Sequence, residues 1–284
     1  MKVEDFDLFV KMLYQKSGLV LTKEKAYLLE SRLMPIARRW NMADLGDLAT
    51  ALRQKNDANL IADIVDAMTT NESSFFRDQK PFDQFRQLVL PKYLAARTST
   101  KRLRIWSAAC SNGQEPYSLA MILDEEKAKL AGWQIEIVAT DLCRDVLEKA
   151  KQGIYTQFEV QRGLPITMLV KYFTQMGDKW QISKEMRDKI KYQSFNLLED
   201  MRPLGQFDII FCRNVLIYFD QQTKGKILEN MARQMPGDGT LYLGGAETVL
   251  GITQVFKPMD GQRGLYVMGG AAPPSVAQTT AAAR

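Results

Sequence analysis

The stretch LRIWSAACSNGQEPYSLAM, residues 103–121, decides how the chain is read. It opens on LRIWSAA, a nearly continuous apolar run of strand length, as expected of a strand covered on both sheet faces. A loop of small residues follows, Cys110 to Gly113, and then a helical pattern beginning near Glu115. A strand, a small-residue loop and a helix N-terminus together form a nucleotide-binding arrangement at the carboxyl edge of a sheet. Gly113 is the single glycine of this loop, whereas a dinucleotide fingerprint needs three, so the loop suits a smaller ligand without a pyrophosphate. Taken alone, the segment reads equally well as an ordinary tight turn between strand and helix.

Working outward, the same alternation continues downstream. IEIVAT (135–140), FDIIFC (207–212) and TLYLGG (240–245) are strand-length apolar runs, and helical patterns lie at about 115–130, 144–152 and 221–235. This order predicts a parallel, doubly wound α/β sheet. Runs near 254–258 and 264–268, joined by the turn-forming MDGQRG, predict a terminal antiparallel hairpin. YFTQMGDKWQIS (172–183) interrupts the alternation with a Gly-Asp turn between β-prone runs, which predicts a small antiparallel insert at about 155–192.

Upstream, residues 1–85 read as an all-helical domain. Phe6, Phe9, Val10, Leu13 and Tyr14 make the stripe of an amphipathic helix. Thr22 is placed to cap a second helix, whose buried side is Leu29, Leu33, Ile36 and Trp40. Shorter helical patterns follow at Leu45–Arg53 and Leu60–Met68, and a further helix, about Pro81–Arg97, leads into the sheet domain, taken as residues 86–270. The tail AAPPSVAQTTAAAR (271–284) has no apolar periodicity and is expected to be disordered.

Composition narrows the chemistry. With 46% hydrophobic and 25% charged residues over 284 positions, the chain is an ordinary globular protein with room for a large core. No apolar run approaches the roughly 20 residues of a membrane span. The N-terminal MKVEDFDLFVKMLYQ carries acids within its apolar pattern, unlike a signal peptide. Cys110, Cys143 and Cys212 lie far apart without metal-ligand spacing, which predicts reduced cysteines, no metal site and a cytoplasmic protein. A net charge of +5 and a pI near 9.0 permit an anionic partner. A histidine count of zero excludes His triads, His metal sites and a His general base.

Three further segments could carry chemistry. Asp141 ends the second strand, where it can accept from ribose hydroxyls or cap the helix after it. TTNESSFFRD (69–78) is dense in small polar groups just ahead of the sheet, and FCRNVLIYFD (211–220) brings Arg213, Asn214 and Tyr218 to the same sheet edge. Together the loop and the acid favour an adenosine-type cofactor. On the second helix, Lys25, Arg32 and Arg39 recur every seven residues with Arg38 beside them, a basic stripe for an acidic partner. The stripe is short, and no Asn-Pro-Pro-aromatic segment of amino-group methylases is present, which argues against nucleic acid as substrate.

TTNESSFFRD, IWSAACSNGQEPYSLAM, ATDLCRDVLEKAKQGIY, FNLLE and FCRNVLIYFD, in that order, resemble the chemotaxis receptor glutamate O-methyltransferases, the CheR type, over about residues 4–268. The resemblance implies a class I S-adenosylmethionine-dependent methyltransferase, Rossmann-like, with a mostly parallel seven-stranded sheet, an all-helical N-terminal domain and a small antiparallel β insert. It implies that S-adenosylmethionine is held by Asn71, Ser73, Arg77, Glu115, Asp141, Asn196, Leu197, Asn214 and Val215. Arg77 and Tyr218 would lie nearest the methyl transfer. Lys25, Arg32, Arg38 and Arg39 would face the helical methylation region of a chemoreceptor, with no nucleic acid and no membrane insertion, by a protein read as a monomer. Two departures are visible. Gln114 replaces an acid of the usual GEEPYS, and the hairpin at Met176–Lys179 looks shorter than in members that dock on a receptor's C-terminal tether.

Overall fold

An amphipathic stripe needs a partner surface, and the first four helices supply one to each other. Helices α1 (Val3–Ser17), α2 (Ala26–Arg39), α3 (Leu45–Lys55) and α4 (Ala58–Met68) close around Phe9, Leu13, Leu29, Leu33, Leu48 and Ile64. The computed structural model describes residues 2–55 and 57–270, and the predicted disorder of 271–284 falls outside the described residues. Trp40 lies half-buried at the rim of this core, its indole N–H donating to Asp63 at 2.9 Å. Thr22 does not cap α2. It starts a separate 3₁₀ turn, Lys23–Lys25, ahead of α2, and makes no side-chain capping bond.

The helix predicted at Pro81–Arg97 is α5 (Lys80–Gln84), a π-helical turn (Phe85–Val89) and α6 (Leu90–Ala96). Phe75, Phe76, Phe82 and Phe85 belong to the core on one face of the sheet, with Phe75 against Tyr155 at 5.0 Å and Phe82 against Phe211 at 6.2 Å between centroids. The segment 70–85, grouped by its helical pattern with the first domain, therefore packs with the sheet. Helical periodicity says that a face is buried and does not say against what.

The large sheet combines β1 (Arg102–Ala108), β2 (Gln134–Asp141), β6 (Ile190–Ser194), β7 (Ile209–Cys212), β8 (Thr240–Leu243), β9 (Phe256–Met259) and β10 (Gln262–Met268). Its order is β6-β2-β1-β7-β8-β10-β9, parallel through β8, with the predicted antiparallel hairpin at the far edge. Side chains alternate between faces: Leu103 and Ile105 of β1 enter one core, Trp106 and Ala108 the other. Helix α7 (Gln114–Glu125) covers the first face with Tyr117, Leu119 and Ile122. On the second, α12 (Gln221–Arg233) buries Ile227, Leu228 and Met231. Helix α8 (Arg144–Gln152) follows β2.

The insert is a three-stranded antiparallel sheet, β3 (Ile154–Thr156), β5 (Lys179–Ile182) and β4 (Phe173–Met176) in that spatial order, with α9 (Gln157–Gln161), α10 (Ile166–Tyr172) and α11 (Lys184–Asp188) around it. The helical domain is fastened to the sheet beside the strands' carboxyl ends. Arg144 donates to Asp63 and Asp66, each at 3.0 Å, and Leu142 packs on the helical core. The Tyr14 hydroxyl donates to Asp220 at 2.7 Å, and the Val20 N–H donates to the Tyr218 carbonyl at 3.1 Å.

Gly113 shows why the loop after β1 carries a glycine. Its φ of +86° is left-handed, and a Cβ there would stand 2.7 Å from the Tyr192 hydroxyl and 2.9 Å from the Ala150 Cβ. Glycine is required for close packing of α7 against α8 and β6, independently of any ligand. Gly113→Ala is expected to cost about 2–4 kcal/mol in urea unfolding, from backbone strain plus overpacking. A loss below about 0.5 kcal/mol would contradict this packing role.

Candidate active site

The parallel strands end on one edge, and β1 sits where the connections turn to opposite sides, β2 on one flank and β7 on the other. A crevice opens at such a switch point. Here it is a cleft of about 1050 Å³, mouth included, closed above by the strap 68–77 and by Ser17 and Leu19 of the helical domain. Asn71, Ser73, Arg77, Glu115, Asp141, Asn196, Leu197, Asn214, Val215 and Tyr218 all line it. Residues as far apart in sequence as Asn71 and Tyr218 thus meet in one cavity.

Asp141 leaves β2 almost buried, and each of its oxygens accepts one backbone N–H, from Ser111 at 2.8 Å and Cys143 at 2.9 Å. These bonds fix the carboxylate at the cleft wall and leave further lone pairs on both oxygens. Burial pushes its carboxyl above the ordinary aspartate range, against the pull of the Cys143 and Ser111 N–H groups. The strap is tied to the loop after β1 through the Asn71 carbonyl, which accepts from Ser111 Oγ at 2.9 Å and Asn112 Nδ2 at 3.3 Å. The Asn196 side chain is committed to structure: its amide donates to the Lys16 carbonyl at 2.6 Å and its oxygen accepts the Leu198 N–H at 3.1 Å. Cys110 also lines the cleft, its thiol pushed well up by burial, so it is a neutral packing group.

Glu115 sits at the start of α7, accepting from Ser107 Oγ at 2.8 Å and from Arg213 at 2.9 Å. The Arg213 side chain is 2% exposed and also donates to the Arg77 carbonyl and to Asp78, both at 2.8 Å. One guanidinium therefore joins β7, α7 and the strap that carries Arg77. Two residues central to this edge were not assigned from sequence. Arg213 was placed near it without a role, and Glu247, which accepts backbone N–H groups of the loop after β7, was not singled out. An isolated acid in GGAETV gives no periodic or motif signal.

The basic stripe on α2 is corrected at Arg32. Arg32 donates to the Met68 and Thr69 carbonyls at 2.8 and 3.1 Å and to Thr70 Oγ1 at 3.2 Å, and Arg39 pairs with Asp63 at 2.6 Å. At about 100° per residue, Arg32 lies only about 40° from Ile36, so spacing by seven borders the buried stripe instead of opposing it. Lys25 and Arg38 are exposed. Gln114, the departure from the usual acid, is 1% exposed and does not line the cleft.

The comparisons with known proteins decide the family. Residues 71–265 match the model for the CheR methyltransferase, SAM binding domain, and residues 4–69 match the CheR methyltransferase, all-alpha domain. The chain belongs to the CheR methyltransferase family. It is 42% identical over 249 residues to chemotaxis protein methyltransferase 1 of Pseudomonas aeruginosa, covering 86% of this chain and 90% of that one. It is 38% identical over 257 residues to chemotaxis protein methyltransferase Cher2 of Pseudomonas putida, covering 89% and 93%. To chemotaxis protein methyltransferase 1 of Vibrio cholerae it is 37% identical over 257 residues, covering 89% and 92%.

As a CheR methyltransferase the chain uses S-adenosylmethionine, and the cleft has the donor set for it. Asp141 offers acceptor lone pairs at the end of β2, the position from which an acid meets ribose. Leu142, Phe195, Leu197 and Val215 supply apolar walls suited to an adenine ring. If Asp141 accepts from the ribose as a carboxylate, protonation must weaken binding. Its raised pKa then makes affinity for S-adenosylhomocysteine fall on acidification, starting above the ordinary aspartate range. The folding linkage has the opposite sign: a raised carboxyl pKa favours the folded state as pH falls, so this group adds no acid instability. Calorimetric titration of S-adenosylhomocysteine across mildly acidic pH checks the first and urea unfolding over the same range the second, and Asp141→Asn should bind weakly with that pH dependence removed. Equal affinity for the two proteins at every pH would refute the role.

Proposed function

We propose that the chain esterifies glutamate side chains on the cytoplasmic, helical methylation region of chemoreceptors, as part of chemotaxis. The observation carrying this reading is that every carboxylate lining the cleft is already engaged, in a chain without histidine. Glu72 pairs with Arg162 at 2.5 Å, and Arg162, then Arg77, hold its carboxyl below the usual range. Glu115 is held by Ser107 and Arg213, and Asp141 by two backbone amides. Among the described residues no unengaged carboxylate faces the cleft, and the chain has no histidine, so an acceptor that arrives already able to attack fits the site best. A glutamate side chain does so, since its reference pKa of about 4.3 leaves it anionic at neutral pH.

S-adenosylmethionine, when bound, supplies a methyl carbon on a sulfonium, open to in-line displacement. The protein's part is positioning and exclusion of water, which can lower a barrier by up to roughly 7–11 kcal/mol. Arg77 lines the cleft near its mouth, one arm donating to the Glu72 carbonyl at 2.8 Å. Its guanidinium would orient the incoming carboxylate by a charge-assisted pair. Binding must stay loose, because stabilising the ground-state anion would slow transfer. Tyr218 would hydrogen-bond around the same position. Lys25 and Arg38, both exposed, would meet the acidic receptor, while Arg32 would act by holding the strap's first residues.

The test is to incubate the protein with methyl-labelled S-adenosylmethionine and membranes bearing chemoreceptors, then treat with mild base. Label should appear on the receptors and leave as methanol, and Arg77→Ala should reduce it about a hundredfold or more. Receptors that take up no base-labile label, from a protein that binds the cofactor, would sink the reading.

A further inference from the structure

Beyond β8 the chain runs GGAETV (244–249), and Glu247 turns back under the loop that follows β7. Its Oε2 accepts the N–H groups of Asn214 at 2.8 Å and Gly244 at 2.6 Å. Its Oε1 accepts those of Val215 at 2.9 Å and Leu216 at 2.7 Å. Three successive N–H groups aimed at one point form an anion-binding concavity. In this protein the anion comes from the chain itself, and Glu247 is 9% exposed.

The loop has little regular structure of its own, a single 3₁₀ turn at Leu216–Tyr218. Asn214 is left-handed, with φ 60°, and its backbone N–H is spent on Glu247. On the other side of the same backbone, Asn214 and Val215 line the cleft, whereas Glu247 does not. The sequence around the clamp is fitted to it. A Cβ on Gly244 would stand 2.7 Å from Glu247 Oε2, 2.8 Å from Asn214 Nδ2 and 2.9 Å from Asn214 N, so the strand must end in glycine for the carboxylate to enter. Only an ionised carboxylate offers acceptors at both oxygens without a donor. A glutamine would turn an NH₂ group toward two N–H groups.

We propose that Glu247 is a positioning residue for the cofactor: its carboxylate fixes the Asn214–Leu216 backbone, and through it the wall that Asn214 and Val215 present to S-adenosylmethionine. The inference rests on the cleft being the cofactor site and is independent of which acceptor is methylated. The experiment is calorimetric titration of S-adenosylhomocysteine into the full chain, paired with urea unfolding, for the natural protein, Glu247→Gln, Gly244→Ala and Leu228→Ala. Leu228, in α12, is a buried residue that does not line the cleft, so its variant measures what lost stability alone does to binding. Glu247→Gln and Gly244→Ala should weaken binding by about 10- to 100-fold, as expected when buried N–H groups lose an acceptor. Leu228→Ala should bind as the natural protein does. Should Glu247→Gln fail to fold, Gly244→Ala keeps the carboxylate and disturbs the same clamp from the other side. Unchanged affinity in folded Glu247→Gln or Gly244→Ala, or equal weakening in Leu228→Ala, would overturn the proposal. Failure of the natural protein to bind S-adenosylhomocysteine would instead remove the cleft assignment, and the clamp's role with it.

Discussion

Arg213 holds a positive charge at 2% side-chain exposure, and a guanidinium so buried persists only where acids and carbonyls surround it. It finds Glu115 at the start of α7, Asp78 on the strap and the Arg77 carbonyl, all within 2.9 Å, while its guanidinium carbon lies 5.5 Å from the centre of the Phe82 ring. Breaking a buried pair of this kind by removing one partner typically costs about 3–5 kcal/mol. The cleft's geometry follows from this one charge. It fixes where the strap crosses the sheet edge, hence where Arg77 stands, and it commits Glu115 to a structural bond.

The walls of the cleft are built from backbone that would not hold its shape alone. Ala109, Ser111 and Asn214, which line it, are left-handed without being glycine, at φ 58°, 50° and 60°, and so is Phe76 of the strap at 49°. Such conformations persist where surrounding bonds over-determine them. The Phe76 N–H donates to Ser118 Oγ at 3.0 Å, the Ser111 N–H to Asp141 at 2.8 Å and the Asn214 N–H to Glu247 at 2.8 Å. The result is a site whose polar groups are set before any ligand arrives, as low-reorganisation chemistry requires.

Engagement of the cleft's carboxylates and the lack of histidine point the same way. A cavity whose acids are bound to arginines and amides offers a rigid field and little proton transfer. That arrangement suits an acceptor that brings its own negative charge. The helical domain completes the site physically, since Ser17, Leu19 and the residues around Met68 close its roof.

The sequence by itself determined most of the parallel sheet, its terminal hairpin and the presence of a β insert, because strand-length apolar runs and helical stripes record directly which faces are buried; the edge strand β6, IKYQS, lacks such a run and fell partly within the predicted insert. It also determined which loops meet, since the ends of parallel strands share one edge. Partner choice was left to the tertiary structure. Helical pattern grouped 70–85 with the first helices, yet Phe75 and Phe82 pack on the sheet. Spacing by seven made Arg32 part of an open basic stripe, yet it is drawn onto the Met68 and Thr69 carbonyls. Glu115 gave no sign in sequence of its partner Arg213, 98 residues away, and Glu247 carried no local signal at all. Periodicity reports that a group is buried or exposed. Which group neutralises a buried charge, or which carboxylate satisfies a run of loop N–H groups, depends on distances that exist only once the chain has folded.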